Sequence, residues 1–290
     1  MLAYGFAQRA LLGGLLIAAT CSIMSFFIIV RRLAFAGVGV SHAAFGGVAI
    51  GVAAGVNPIL TAGGFCVLVA GGIGWFSRKG RLHEDTVIGI LFAASMALGV
   101  LLMSFADAYN QDLLSYLFGS ILAMSWTDVV VIAVMTVLSI GFLVLFFKEL
   151  LFLSFDEETA TASGIPVRFV YYGLLVTMAL TIVVSIKLVG IVLVSALLVI
   201  PGAIGLQLCR NYRAVLVTAL VASLASVTAG LFLSFHFDVP SGATMVMVQF
   251  VLFVLAFALS PRRTYISRFR RRAGEGEPAG GRLPSGGSGD

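Results

Sequence analysis

Residues 10–32 read ALLGGLLIAATCSIMSFFIIVRR. No charged side chain occurs between Ala10 and Val30, and the run closes on the pair Arg31–Arg32. About 20 apolar residues are enough to cross the hydrocarbon layer as an α-helix. The stretch is too long for the apolar region of a secretory signal and has no small-residue cleavage site at its end. It reads as a retained transmembrane helix. The rest of the chain repeats the pattern. Of 290 residues, 60% are hydrophobic and only 11% charged, against about 25% charged in an ordinary soluble domain. Mean hydropathy is +1.09. The chain is therefore expected to be an all-α polytopic membrane protein, with no stretch polar enough to form a soluble domain of any size.

Working outward from the first run, further spans are expected at about 39–56, 58–76, 86–106, 127–148, 168–186, 189–208, 214–235 and 241–260. The second and seventh are short, and only Lys187 and its neighbours separate the sixth from the seventh. Eight spans, with one of these re-entrant, is the alternative. Residues 111–124 (QDLLSYLFGSILAM) are expected to form a short interfacial helix. Nine alternating spans put Lys and Arg on one side throughout. Among the 18 basic residues only Arg9 and Lys187 fall on the other side. The positive-inside rule then sets the N-terminus outside and the C-terminus in the cytoplasm. The transmembrane domain is assigned to residues 1–260. Residues 261–290 begin as RRTYISRFRRR and end in Gly, Pro, Ser and Glu. They are expected to be a basic, disordered cytoplasmic tail able to bind anionic lipid.

Several function classes are excluded or weakened. No GxxxxGK[ST] stretch is present, so the chain does not cradle a nucleotide itself. No HExxH occurs. No acidic residue falls in mid-membrane, as an ion-coupled carrier usually requires. Cys21, Cys66 and Cys209 lie far apart without CxxC spacing and read as buried apolar residues. The positive balance belongs to loops at one membrane face and implies no nucleic-acid partner.

Four groups of residues stand out chemically. In AGVGVSHAAFGGVAIG (36–51) the residues Gly39, Ala43, Gly47 and Gly51 are four apart and form one stripe that allows close helix approach in lipid. His42 lies on the adjacent face, with Gly46 one turn further along leaving room before it. A buried imidazole must be paired or bound. His42 therefore either hydrogen-bonds a neighbouring helix or lines a metal path. In FHFDVPSG (235–242), His236 and Asp238 point the same way if the stretch is extended. They are candidates for metal capture at the outer mouth, with capping of the last helix by Asp238 as the alternative. In FDEETATASGIPV (155–167), Asp156, Glu157 and Glu158 open a short small-faced helix that Gly164 and Pro166 terminate. It is either a solvated connector or a docking helix. His83 in RKGRLHEDT reads as a solvated loop residue. With Glu84 and Asp85 it is alternatively a contact for a partner or for exiting metal.

Five stretches, in order along the chain, are similar to the permease subunits of bacterial zinc/manganese-type ABC importers (the ABC-3 family). Residues 155–167 resemble the family's coupling segment, and RRLAFAGVGVSHAAFGGVAIG (31–51) its second-helix motif. DLLSYLFGSIL (112–122) resembles its outer amphipathic segment. VVSIKLVGIVLVSALLVIPGA (183–203) resembles its most recognisable run, and DVPSGATMVM (238–247) the start of its last helix. The resemblance implies a type II-like importer permease bundle in a bacterial cytoplasmic membrane, with two identical chains forming a homodimeric pore. Two cytoplasmic ATPase subunits would bind ATP and dock on Asp156, Glu157, Glu158, Ala160, Ser163 and Gly164. An extracytoplasmic metal-binding protein would deliver a divalent metal, zinc foremost, with manganese and iron as alternatives. No permanently bound cofactor is implied. His42, Asp238 and His236 are the metal-site candidates that follow. One departure matters. Relatives commonly read GDxxSH where this chain has Val38, so the carboxylate half of that motif is missing. The alternatives are a permease for metal chelates of the siderophore or cobalamin type, and a proton-coupled metal carrier.

Overall fold

The computed structural model describes residues 4–80, 82–105, 116–120 and 124–260. Eleven helices are named here: α1 Gly5–Val30, α2 Ala34–Ala54, α3 Pro58–Lys79, α4 Glu84–Ser104, α5 Trp126–Leu145, α6 Phe147–Phe155, α7 Glu157–Ala162, α8 Val167–Val189, α9 Ile191–Leu208, α10 Tyr212–Phe237 and α11 Ser241–Ala258. Nine of them are long and apolar enough to cross a membrane among the described residues. The two that are not are α6 and α7. The nine spans agree with the hydropathy reading. Most of the expected interfacial stretch 111–124 and all of the tail 261–290 lie outside the described residues.

Three helices form the interior. In their most apolar windows α1, α2 and α8 are 67%, 72% and 67% buried by other helices, against 28% for α4, α5 and α11. The outer helices turn large side chains away from the bundle, among them Val100, Leu101, Val137, Leu145, Val251 and Leu255, as a lipid-facing surface requires. α2 packs between α3 and α4, and α1 against α9, α10 and α5. α9, α10 and α11 pack on one another.

Two boundaries differ from the sequence expectation. α2 starts at Ala34 rather than at 39, with only Arg31–Leu33 between it and α1. Glycine lowers helix propensity in water, but in lipid an unpaired backbone costs far more than glycine's entropy, so Gly37 and Gly39 are absorbed into the helix. Lys187, expected in the turn between the sixth and seventh spans, is instead in the last turn of α8. Its Nζ donates to Asp128 Oδ2 at 2.6 Å. The same oxygen accepts from Ser125 N and Ser125 Oγ in the capping box of α5.

A single residue separates α8 from α9. Gly190 has φ 92° and ψ 155°, a conformation closed to side chains. Its Cα faces the backbone of Leu117 and Phe118. Ser120 N donates to Lys187 O at 3.0 Å, and Ser241 Oγ to Leu188 O at 3.1 Å. Segment 116–120, through a main-chain amide, and the start of α11, through a serine hydroxyl, thus hold the carbonyls of the α8–α9 corner. Within α9, Pro201 interrupts the helical ladder. Ser25 of α1 repairs it: its Oγ accepts from Gly202 N at 2.8 Å and donates to Val199 O at 3.1 Å.

Candidate metal path and docking helix

α2 brings His42 to mid-span. Eight residues after Ala34, it lies about 12 Å along the axis from the helix start. The side chain is half-buried. Its ring meets Phe92 of α4 edge-on, with centroids 5.2 Å apart. His42 Nδ1 lies 2.9 Å from Val38 O. A carbonyl has no proton to give, so Nδ1 carries the hydrogen, and in the neutral ring Nε2 is then the nitrogen with the lone pair. Ser41 Oγ donates to the same carbonyl at 2.9 Å. Fixing one ring nitrogen on a backbone carbonyl is how ligand histidines are oriented. The Val38 side chain is itself half-buried and lines an apolar groove of about 480 Å³ with Phe35 and with Ser195, Ala196 and Val199 of α9.

The small stripe on α2 serves two contacts rather than one. A Cβ at Gly39 would stand 2.5 Å from Ile88 Cγ2 of α4, whereas one at Gly47 would stand 2.6 Å from Ala62 Cα of α3. Gly51 meets Pro58 and Thr61 of α3, and Ala43 is fully buried. Gly46 was expected to leave room beside His42. Instead the space is filled, since a Cβ there would lie 2.7 Å from Ser95 O.

The outer pair is not assembled as expected. α10 continues through Phe237, so His236 is helical and not in an extended stretch. Its ring stacks on Phe232 and meets Phe237 edge-on. Asp238 caps α10, not α11, with φ 54° and ψ 44°. Pro240 occupies the N-cap of α11. Both His236 and Asp238 are exposed. Among the described residues no three His, Cys, Asp or Glu side chains converge on a common point.

At the basic end, α7 forms for local reasons. Asp156 is its N-cap and accepts from Glu158 N at 2.9 Å and Thr159 N at 3.1 Å, besides the Thr159 hydroxyl. The Thr159 hydroxyl bond, followed by that residue's backbone N–H, holds the Asp156 carboxyl below its ordinary range. Gly164 at φ 79° ends the turn. Asp156, Glu158, Ser163 and Gly164 are exposed, whereas Ala160 is fully buried beneath the helix and presents no surface to a partner.

Sequence reasoning missed what Glu157 does. It pairs with Arg78 at 2.8 Å, the end of α3, and with Arg31 at 3.8 Å, the end of α1. Both guanidinium groups lie over the Tyr171 ring of α8, 4.7 and 5.4 Å from its centroid. The Tyr171 hydroxyl donates to Glu84, the first residue of α4. These groups line an open cleft of about 520 Å³ together with Arg32, His83 and Asp85. Tyr171 sits in an apolar run whose partners lie far away in sequence, so nothing local singled it out.

The bundle and this arrangement define a many-span membrane protein of the transport-permease class. The chain belongs to the ABC 3 transport family, whose model matches residues 3–260. It is 37% identical over 271 residues to the manganese transport system membrane protein MntC of Halalkalibacterium halodurans, covering 93% of each chain. It is 33% identical to the probable iron transport system membrane protein of Haemophilus influenzae, covering 90% of this chain and 96% of that one. Among solved structures it is similar to PsaBC from Streptococcus pneumoniae in complex with Fab, at TM-score 0.82 and 30% identity over 92% of this chain and 96% of that one. A putative metal-chelate type ABC transporter in an inward-facing conformation shares the fold at TM-score 0.69 and 19% identity, covering 86% of this chain and 84% of that one.

Proposed function

We propose that this chain is the pore-forming subunit of an ATP-driven importer of divalent transition-metal ions. Two copies would enclose the path in a bacterial cytoplasmic membrane, N-terminus outside, with ATP bound and hydrolysed by separate subunits docked on residues 155–167. An extracytoplasmic protein would load the ion at the outer mouth, near Asp238 and His236. The observation that carries the reading is His42. It lies at mid-span with Nδ1 committed to Val38 O, so Nε2 is left as a donor to a soft or borderline ion. Around a two-fold axis two such nitrogens supply half of a tetrahedral shell. Valine at 38 removes two hard oxygen donors per dimer, which favours zinc over manganese.

Uptake by vesicles containing the chain, its ATPase and its binding protein tests this. His42→Ala should lower metal uptake by at least about tenfold, with ATPase assembly unchanged. Undiminished uptake would instead point to a chelate permease, whose pore needs no ligating side chain. Uptake by the chain without any ATPase would point to a proton-coupled carrier.

A further inference from the structure

We propose that α4 is the lever that carries movement of the docking helix to His42, and that Glu157, Tyr171 and Glu84 are its linkage. This rests on the reading of α7 as the ATPase docking helix. Glu84, Ile88, Phe92, Ser95 and Gly99 are spaced by three or four residues and share one face of α4. Four of the five touch α2. Ile88 closes on Gly39, Phe92 meets the His42 ring, the Ser95 carbonyl closes on Gly46, and Gly99 receives Phe45. With backbones this near, α2 and α4 cannot slide past each other without clashes, so they move as one body. Glu84, the remaining member of the face, is bonded to Tyr171. Tyr171 is in turn clasped by the two arginines that hold Glu157 of α7. A pull on α7 therefore reaches the start of α4 through side chains alone. α4 delivers it two turns further on, at the Phe92–His42 contact.

Glu157 is in this view a positioning residue: it is exposed like Asp156 and Glu158, but its carboxylate is paired with Arg78 and Arg31 of its own chain. The linkage also explains why paired arginines from α1 and α3 converge on a single tyrosine.

The test is metal moved per ATP hydrolysed in vesicles holding the full assembly. Glu157→Gln and Arg78→Gln should each lower that ratio by about fivefold or more, and the double variant no further, because both break one link. Tyr171→Phe keeps the ring between the guanidinium groups and removes the hydroxyl's bonds to Glu84 and Ser77, and it should lower the ratio similarly. Arg78→Gln and Tyr171→Phe should retain the ATPase on purification. An unchanged ratio in Glu157→Gln, losses that multiply in the double variant, or loss of ATPase binding in Tyr171→Phe would each overturn the linkage. Hydrogen exchange in the full chain separates this from the function itself. Glu157→Gln and Tyr171→Phe should speed exchange in the first turns of α4 whatever the cargo, and equal protection would refute the linkage. A wild-type assembly that moves no metal would refute only the assigned function.

Discussion

His42 shows what one residue's surroundings decide. The histidine on a glycine-rich helix was visible in the sequence, but not which of its nitrogens the backbone takes up. That depends on the Val38 carbonyl one turn earlier, and hence on the helix having begun before residue 38. Ion choice follows at the same scale. Val38→Asp restores a carboxylate one turn from His42 and should raise manganese uptake relative to zinc, measured with both ions in competition. Manganese already preferred by the wild type would contradict the zinc assignment. The outer residues were less legible. His236 and Asp238 had been placed together by assuming extended backbone, whereas α10 runs on and leaves Asp238 in the left-handed region that ends a helix.

At the scale of elements, the nine spans and the short helix α7 were legible because each has a local cause: an apolar run of sufficient length, or Asp156 before the helix and Gly164 after it. Contacts between elements were not, since the stripe Gly39–Gly51 says only that something comes close. The structure divides it between α4 and α3. Gly47→Val should therefore drive a branched side chain into the α3 backbone and cost about 1–3 kcal/mol, read as a fall in the melting temperature of the detergent-solubilised chain. Gly37, with open space around its Cα, is the control, and Gly37→Ala should be tolerated. The Asp156 cap gives a pH prediction. Its folded-state pKa is depressed, so its contribution is complete above the unfolded value, about 3.9, and is lost as pH falls through the folded value. Protection of the α7 amides, with exchange rates corrected for their intrinsic pH dependence, should stay constant from pH 7 to about 5 and fall only in stronger acid. Protection already lost near pH 6 would mean that another group holds the helix.

Over the whole molecule, the two ends are fastened differently. At the basic end, charged side chains of α3, α4 and α7, with Arg31 at the end of α1, meet around Tyr171 of α8. At the other end the joining bonds run to main-chain carbonyls beside Gly190, with Lys187 and Asp128 as the added ion pair. Lys187→Met would leave Asp128 without its cation and should cost about 1.5–3 kcal/mol, the range for a hydrogen bond to a charged group. The loss should appear as easier thermal unfolding, with uptake at permissive temperature retained. The sequence placed Lys187 near this end but not its partner, because Asp128 lies on another helix. Ser25 has a different consequence. A proline inside a membrane helix is commonly a joint, since the bonds it breaks leave the two halves free to swing. Here the hydroxyl from α1 takes up both the amide after Pro201 and a neighbouring carbonyl, so α9 is pinned to α1 at the very place where it would otherwise swing. α1 and α9 then make a single strut, and flexing of the bundle is expected in other helices, with Ser25→Ala releasing the joint.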